Sequence, residues 1–252
     1  MTTRILVGLA LLGLGCGTPN DGVDIGSSEE PIIGGTTDNG DPAVMAIFTH
    51  APGSDSGFLC TGTVISPTKL LTAAHCVDPR TVGEGMVFEV LSGTTLGPGS
   101  PRVPVTDTTF DPAFDPDNIT AGHDVGIVTL AFPTTITPVR FATAPFSVPK
   151  NNKNLRIVGY GSNTHSNTGS GTKRTATARV NDYDSLVIHI GTTSKQTCHG
   201  DSGGPAFQSG NGVETIVGIT SYGYDFGTFN VCIGGGYSTN VATYADFITA
   251  NL

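Results

Sequence analysis

From residue 32 to the end of the chain, short apolar runs alternate with turn signals. The clearest runs are 44–48, 62–66, 87–91, 125–130, 155–158, 186–190 and 216–220. Most are rich in Val, Ile or Thr, and Gly, Pro, Asp, Asn or Ser bounds them. Such runs are too short to build one face of a helix, and branched side chains pack well on a pleated surface. The pattern predicts the strands of a sandwich or barrel. Residues 161–172 (GSNTHSNTGSGT) carry no aliphatic position and predict an exposed loop. Only the tail departs from strand spacing, since Val241, Tyr244, Ala245 and Ile248 share one helical face. No internal repeat and no change of composition divides 32–252. One folded unit is expected there, with room for two β subdomains.

Composition sharpens this picture. Thirty-five glycines and 16 prolines agree with many turns and few long helices. Charged residues make up 13% of the chain, too few for a chain kept disordered by charge. The formal net charge of −9 argues against nucleic acid or an anionic membrane as partner.

Residues 1–16 (MTTRILVGLALLGLGC) hold one positive charge, Arg4, then an apolar run too short to span a bilayer. They read as a secretory signal peptide. Gly15-Cys16 is also a candidate lipid-attachment boundary, although Gly13 stands where such signals usually carry Leu. The expected location is secreted and extracellular. The alternative is a chain anchored through Cys16 to a bacterial outer membrane, or a periplasmic one. Residues 17–31 are polar and acidic and read as a linker or propeptide. Beyond Cys16, Cys60, Cys76, Cys198 and Cys232 remain in an exported domain. Two disulfides are expected, with three possible pairings. A metal site drawn from Cys60, His75, Cys76, Cys198 and His199 is the rival, but no CxxC or HxxxH spacing supports it.

The candidate chemistry centres on residues 198–205, CHGDSGGP. Ordering so many glycines costs backbone entropy, so the backbone itself has work to do there. A tight glycine loop can aim several N–H groups at one point, and a serine inside it can be a nucleophile. An ordinary surface turn has the same composition. An activated serine needs a base, and the base an orienting partner. His75 in Leu-Thr-Ala-Ala-His-Cys and Asp124 in His-Asp-Val-Gly-Ile-Val-Thr-Leu are candidates, the acid entering an apolar strand where an unpaired carboxylate is costly.

Taken in order, these three segments resemble the chymotrypsin/trypsin family of serine endopeptidases. The order His, Asp, Ser differs from that of subtilisins and α/β-hydrolases. Further segments extend the resemblance over 32–252: Ile32-Ile-Gly-Gly35, Gly159-Tyr-Gly161, Ser221-Tyr-Gly223 and Tyr244-Ala-Asp-Phe-Ile248. The family's tryptophans are replaced by Tyr160, Tyr222 and Phe247.

The resemblance implies an all-β fold of two six-stranded antiparallel β-barrels with a short C-terminal helix. It implies Ser202 as nucleophile, His75 as general base and Asp124 as its orienting acid, with Gly200 and Ser202 N–H groups as oxyanion hole. It pairs Cys60 with Cys76 and Cys198 with Cys232. It pairs Asp201 with an α-ammonium released at Ile32, so a zymogen is expected. Glu29-Glu30-Pro31 before that bond excludes a trypsin-type activator. It places Ser221, Tyr222 and Gly223 along the substrate cleft, Gln196 at the base of the primary pocket, and Gly223 and Gly236 in its walls. A neutral pocket base predicts large neutral substrate side chains, unless Asp225 supplies a charge. Partners are protein or peptide substrates and protein inhibitors. No cofactor and no metal is implied, and a monomer is expected. A silent binding protein on the same fold is the alternative.

Overall fold

A computed structural model describes residues 32–148, 153–165, 168–224 and 232–252. The leader with Cys16, the linker, and Asp225 lie outside the described residues. The first strands are β1 (Thr36–Thr37), β2 (Val44–His50), β3 (Gly57–Ser66), β4 (Lys69–Thr72), β5 (Val87–Leu91), β6 (Arg102–Phe110) and β7 (Gly126–Leu130). They continue with β8 (Arg140–Phe141), β9 (Asn154–Gly159), β10 (Arg174–Tyr183), β11 (Val187–Ile190), β12 (Pro205–Gly210), β13 (Val213–Tyr224) and β14 (Ile233–Asn240). One helical turn, α1 (Pro79–Val82), follows β4, and α2 (Ala245–Ala250) ends the chain.

Strands β2-β3-β4-β7-β6-β5 close into a six-stranded barrel. Strands β10-β11-β14-β13-β12-β9 form a second ring, closed by antiparallel pairing of β9 with β10. Both rings are antiparallel throughout, as the resemblance implies. The short β1 and β8 pair outside the second ring, on β10 and β13.

The apolar runs explain the cores. Val44, Met45, Ala46 and Ile47 are consecutive and all buried, as suits a strand covered on both faces. In β10 Ala176, Ala178 and Val180 point inward while Thr177 and Arg179 are exposed, the two-residue period of a half-buried strand. The four tail residues on one helical face are all buried, Val241 and Tyr244 in a 3-10 turn and Ala245 and Ile248 in α2.

Within 161–172 one correction is needed. Gly161 and Ser162 are buried, because their N–H groups bond inward to Asp201 Oδ1 (2.8 Å) and His199 O (2.7 Å). Thr168, Gly169 and Ser170 are exposed as expected.

Candidate active site

Two strand ends of the first barrel bring His75 and Asp124 together. Thr72, the last residue of β4, pairs with Gly126, the first of β7. His75 sits in the 3-10 turn (Ala74–Cys76) just after β4, and Asp124 lies two residues before β7. The Cys60–Cys76 disulfide ties that turn to β3. His75 meets the carboxylate twice: its N–H donates to Oδ1 (2.9 Å), and its ring Nδ1 lies 2.8 Å from Oδ2. Ser221 Oγ donates to the same Oδ2 at 2.5 Å, and Thr239 Oγ1 donates to the main-chain oxygen of Asp124 at 2.9 Å.

Asp124 is fully buried. Burial alone would raise its pKa, but the His75 charge, then the hydrogen bonds from His75 and Ser221, outweigh it and hold the carboxyl below its usual range. An ionised carboxylate only accepts hydrogen bonds, so Nδ1 of His75 carries a proton and Nε2 of the neutral ring is free to act as a base. Just before it, His123 has a left-handed φ of 65°, and its N–H donates to the Tyr244 hydroxyl at 2.8 Å.

The loop that carries Ser202 precedes β12. The Cys198–Cys232 disulfide anchors its start. Four successive carbonyls are then pinned. Ser162 N–H donates to His199 O (2.7 Å), Thr61 Oγ1 to Gly200 O (2.9 Å), Gly204 N–H to Asp201 O (2.8 Å) and Thr61 N–H to Ser202 O (2.8 Å). A trans peptide is planar, so pinning a carbonyl also aims the next residue's N–H the opposite way. The N–H groups of Gly200 and Ser202 donate to no other described residue. Gly200 adopts a φ of 96°, which suits glycine. At Gly203 a Cβ would lie 2.0 Å from Thr72 Oγ1 and 2.3 Å from Thr61 O, so only glycine lets the loop sit this close to the first barrel. His75, Gly200 and Ser202 line one cleft of about 450 Å³, with Phe58, Leu59 and His199 around them.

Beneath this loop Asp201 is fully buried. Its carboxylate accepts N–H bonds from Gly161 and Cys198, each at 2.8 Å. Burial pushes its pKa up to about 7, only partly offset by those two amides and the distant Arg174 charge. Ile32 is likewise fully buried and belongs to the core of the second barrel with Ile157 and Ile188. Ile33 bridges to Gln196, so the start of the described chain lies against the pocket segment.

The expected pocket residues separate into different roles. Gly223 and Gly236 pair across β13 and β14, and the neighbouring Tyr222 and Tyr237 rings stack at 4.8 Å. A Cβ on Gly223 would meet nothing nearer than 4.0 Å, whereas one on Gly236 would lie 2.6 Å from Thr197 Oγ1. Gln196 is buried and its amide is spent: Nε2 donates to Cys232 O (2.9 Å) and Thr193 O (3.2 Å), and Oε1 accepts from Gly235 N–H (2.9 Å). Ser221, expected along the cleft, spends its hydroxyl on Asp124. Sequence reasoning missed that contact, and also Thr61 and Thr239. The one available signal was a hydroxyl inside an otherwise apolar strand, which needs a partner when buried. The metal alternative loses its thiolates, because all four cysteines are bonded to one another.

The family described as Trypsin matches residues 32–248. The chain is 28% identical to bovine (Bos taurus) chymotrypsin-like elastase family member 1, over 97% of both chains. It is 28% identical to a trypsin of Saccharopolyspora erythraea, over 76% of this chain and 86% of that one. It is 29% identical to brachyurin of Leptuca pugilator, over the same shares. Two closed antiparallel barrels, two disulfides and a match across nearly all of the described chain together place this protein in the trypsin family of serine proteases.

Proposed function

We propose that the protein is an exported serine endopeptidase in which Ser202, His75 and Asp124 act as one unit. The observation that carries this reading is the His75 ring held on an ionised Asp124, in the same cleft as Ser202 and two unspent N–H groups. Ser202 Oγ attacks the scissile carbonyl while His75 Nε2 takes its proton, then returns it to the leaving amine. Water hydrolyses the acyl-enzyme by the same steps in reverse order. Asp124 keeps the imidazole tautomer and stabilises the imidazolium. The Gly200 and Ser202 N–H groups donate to the developing oxyanion, and each such donor contributes about 2.7–4 kcal/mol to the transition state. A serine-directed fluorophosphonate tests this. Ser202 should be labelled, and Ser202→Ala should abolish both labelling and peptide hydrolysis. A processed protein beginning at Ile32 that neither labels nor hydrolyses any peptide of a diverse library rejects the reading.

The neutral Gln196 supports a pocket for large uncharged side chains. A substrate cation buried against it would find no counter-charge, and such burial is costly. A matched pair of chromogenic peptides, Arg against Phe before the scissile bond, decides. An Arg preference above about tenfold, roughly 1.4 kcal/mol, rejects the neutral pocket.

Activation is proposed to release an α-ammonium at Ile32 that pairs with Asp201. The raised Asp201 pKa supports this, since it marks a buried carboxyl without a cation beside it. Full activity in material whose N-terminus lies well before Ile32 rejects it. Export is supported by the two disulfides, which persist in oxidising compartments.

A further inference from the structure

Thr61 lies in β3 of the first barrel, between Cys60 and Gly62, and is fully buried. All of its polar groups go to elements of the site. Its N–H donates to Ser202 O at 2.8 Å. Its hydroxyl donates to Gly200 O at 2.9 Å and accepts the Tyr160 N–H at 3.1 Å. Its carbonyl accepts the Thr72 hydroxyl at 2.9 Å, three residues before His75. Cys60 next to it is joined to Cys76 next to His75. The side chain therefore touches the nucleophile loop and the segment beneath it, and the main-chain carbonyl of the same residue touches the strand that leads to the base.

We propose that Thr61 is a positioning residue that holds the nucleophile loop in register with His75. The inference rests on the reading of Ser202 as nucleophile. The hydroxyl is the part that matters. It fixes the Gly200–Asp201 peptide, between the two residues whose N–H groups are proposed to face the oxyanion. A threonine hydroxyl offers one donor and two acceptor sites, so a single atom can bridge Gly200 O and Tyr160 N–H. Valine has the same shape without that bridge and leaves a buried carbonyl and a buried N–H unpaired. The Thr61 N–H bond to Ser202 O survives any of these substitutions, so the loop stays attached while its orientation loosens. A displacement near 1 Å at a reacting group costs about 100-fold in rate.

The test compares Thr61→Val, Thr61→Ala and Thr61→Ser in the active, processed protein. Thr61→Val should lower kcat by about 30-fold, inside that 100-fold bound, with KM within about twofold. Thr61→Ser should recover at least half of native kcat. Affinity for a peptide aldehyde, which forms a tetrahedral adduct on Ser202, should fall in parallel with kcat/KM. Affinity for a cleaved product peptide should not. If Thr61→Val accumulates no folded protein, Thr61→Ala supplies the same comparison, with room for a water in place of the side chain. Folded Val or Ala variants within threefold of native kcat overturn the proposal. So does a loss that serine does not restore, or one in which product and aldehyde binding weaken equally. A native protein whose hydrolysis survives Ser202→Ala fails at the earlier step and speaks against the nucleophile assignment instead.

Discussion

The first barrel delivers His75 and Asp124 from the ends of two paired strands, β4 and β7. The second delivers Ser202 from a loop outside any strand. The two interiors differ as well. Ile47, Val64, Leu70, Val90, Ile127 and Val128 fill the first barrel with branched aliphatic side chains. In the second, Ala176, Ala178 and Ala206 sit beside Ile157 and Ile188. Strand register sets the distance between base and acid, and register cannot drift without turning a whole face of buried side chains outward. The nucleophile loop has no register. Hydrogen bonds to its carbonyls, one disulfide and the buried Asp201 hold it, and each of these can be removed or titrated. The first barrel is thus the fixed half of the site, and the second is the half open to control.

The largest effects should come from removing a member of each half. Ser202→Ala should cost about 10⁶-fold in kcat, since members of such a unit fail together. Asp124→Asn should cost about 10⁴-fold, through the wrong imidazole tautomer. Both variants should keep native circular dichroism, and steady-state kinetics at saturating peptide checks the ranking. An Asp124→Asn enzyme within tenfold of native would show that the fixed half contributes little.

Next in size is the titration of Asp201. Its carboxyl is raised to about 7 in the uncut chain, above its ordinary 3.8. The fold therefore holds the proton more tightly than the unfolded chain does. That stability is fully present below the ordinary value and is lost as pH rises through about 7. The loss is at most roughly 4 kcal/mol. Urea midpoints of the uncut chain should fall between pH 4 and 8, and Asp201→Asn should flatten that slope. A chain beginning at Ile32 should show a shallower or reversed slope, because an ammonium favours the ionised form. Identical slopes in all three proteins would leave the second barrel as rigid as the first.

The smallest effect concerns a contact between the halves. Ser221 belongs to β13 of the second barrel but donates to Asp124 before β7. A hydrogen bond to a charged group contributes about 1.5–3 kcal/mol. Ser221→Ala should therefore lower kcat by roughly 10- to 100-fold, from the same range, while the Asp124→Asn background hides the effect. A full additional loss in the double variant would mean that Ser221 acts elsewhere, along the cleft where the resemblance first placed it.

How much of this was readable follows from where the contacts lie along the chain. The strands β2, β5, β7 and β9 were legible because each carries a short run of apolar residues with at most one charged residue inside it. The strand β6 hid behind Pro104 and Asp107, β10 behind small alternating alanines, and β14 behind three glycines. In those strands pairing with neighbours decides the conformation, and propensity does not. His75, Asp124 and Ser202 each sit in a short motif with its own local signal. The contacts of Thr61 with Gly200 and of Ser221 with Asp124 span 139 and 97 residues. No local pattern encodes a partner at that distance.

The two disulfides each sit beside a reacting group, Cys76 next to His75 and Cys198 four residues before Ser202. They close loops of 16 and 34 residues. Loop-closure entropy makes each cross-link worth about 3–4 kcal/mol against the unfolded chain. A copy still surrounded by the reducing thiols of its own cell lacks both ties. It therefore carries a complete set of reacting side chains on scaffolding that does not yet hold them. Under the proposed export the two bonds would form only outside the cell, separating the moment of synthesis from the moment at which the proposed triad is held in place. Hydrolysis should disappear under a mild reductant before the strand signal in circular dichroism does.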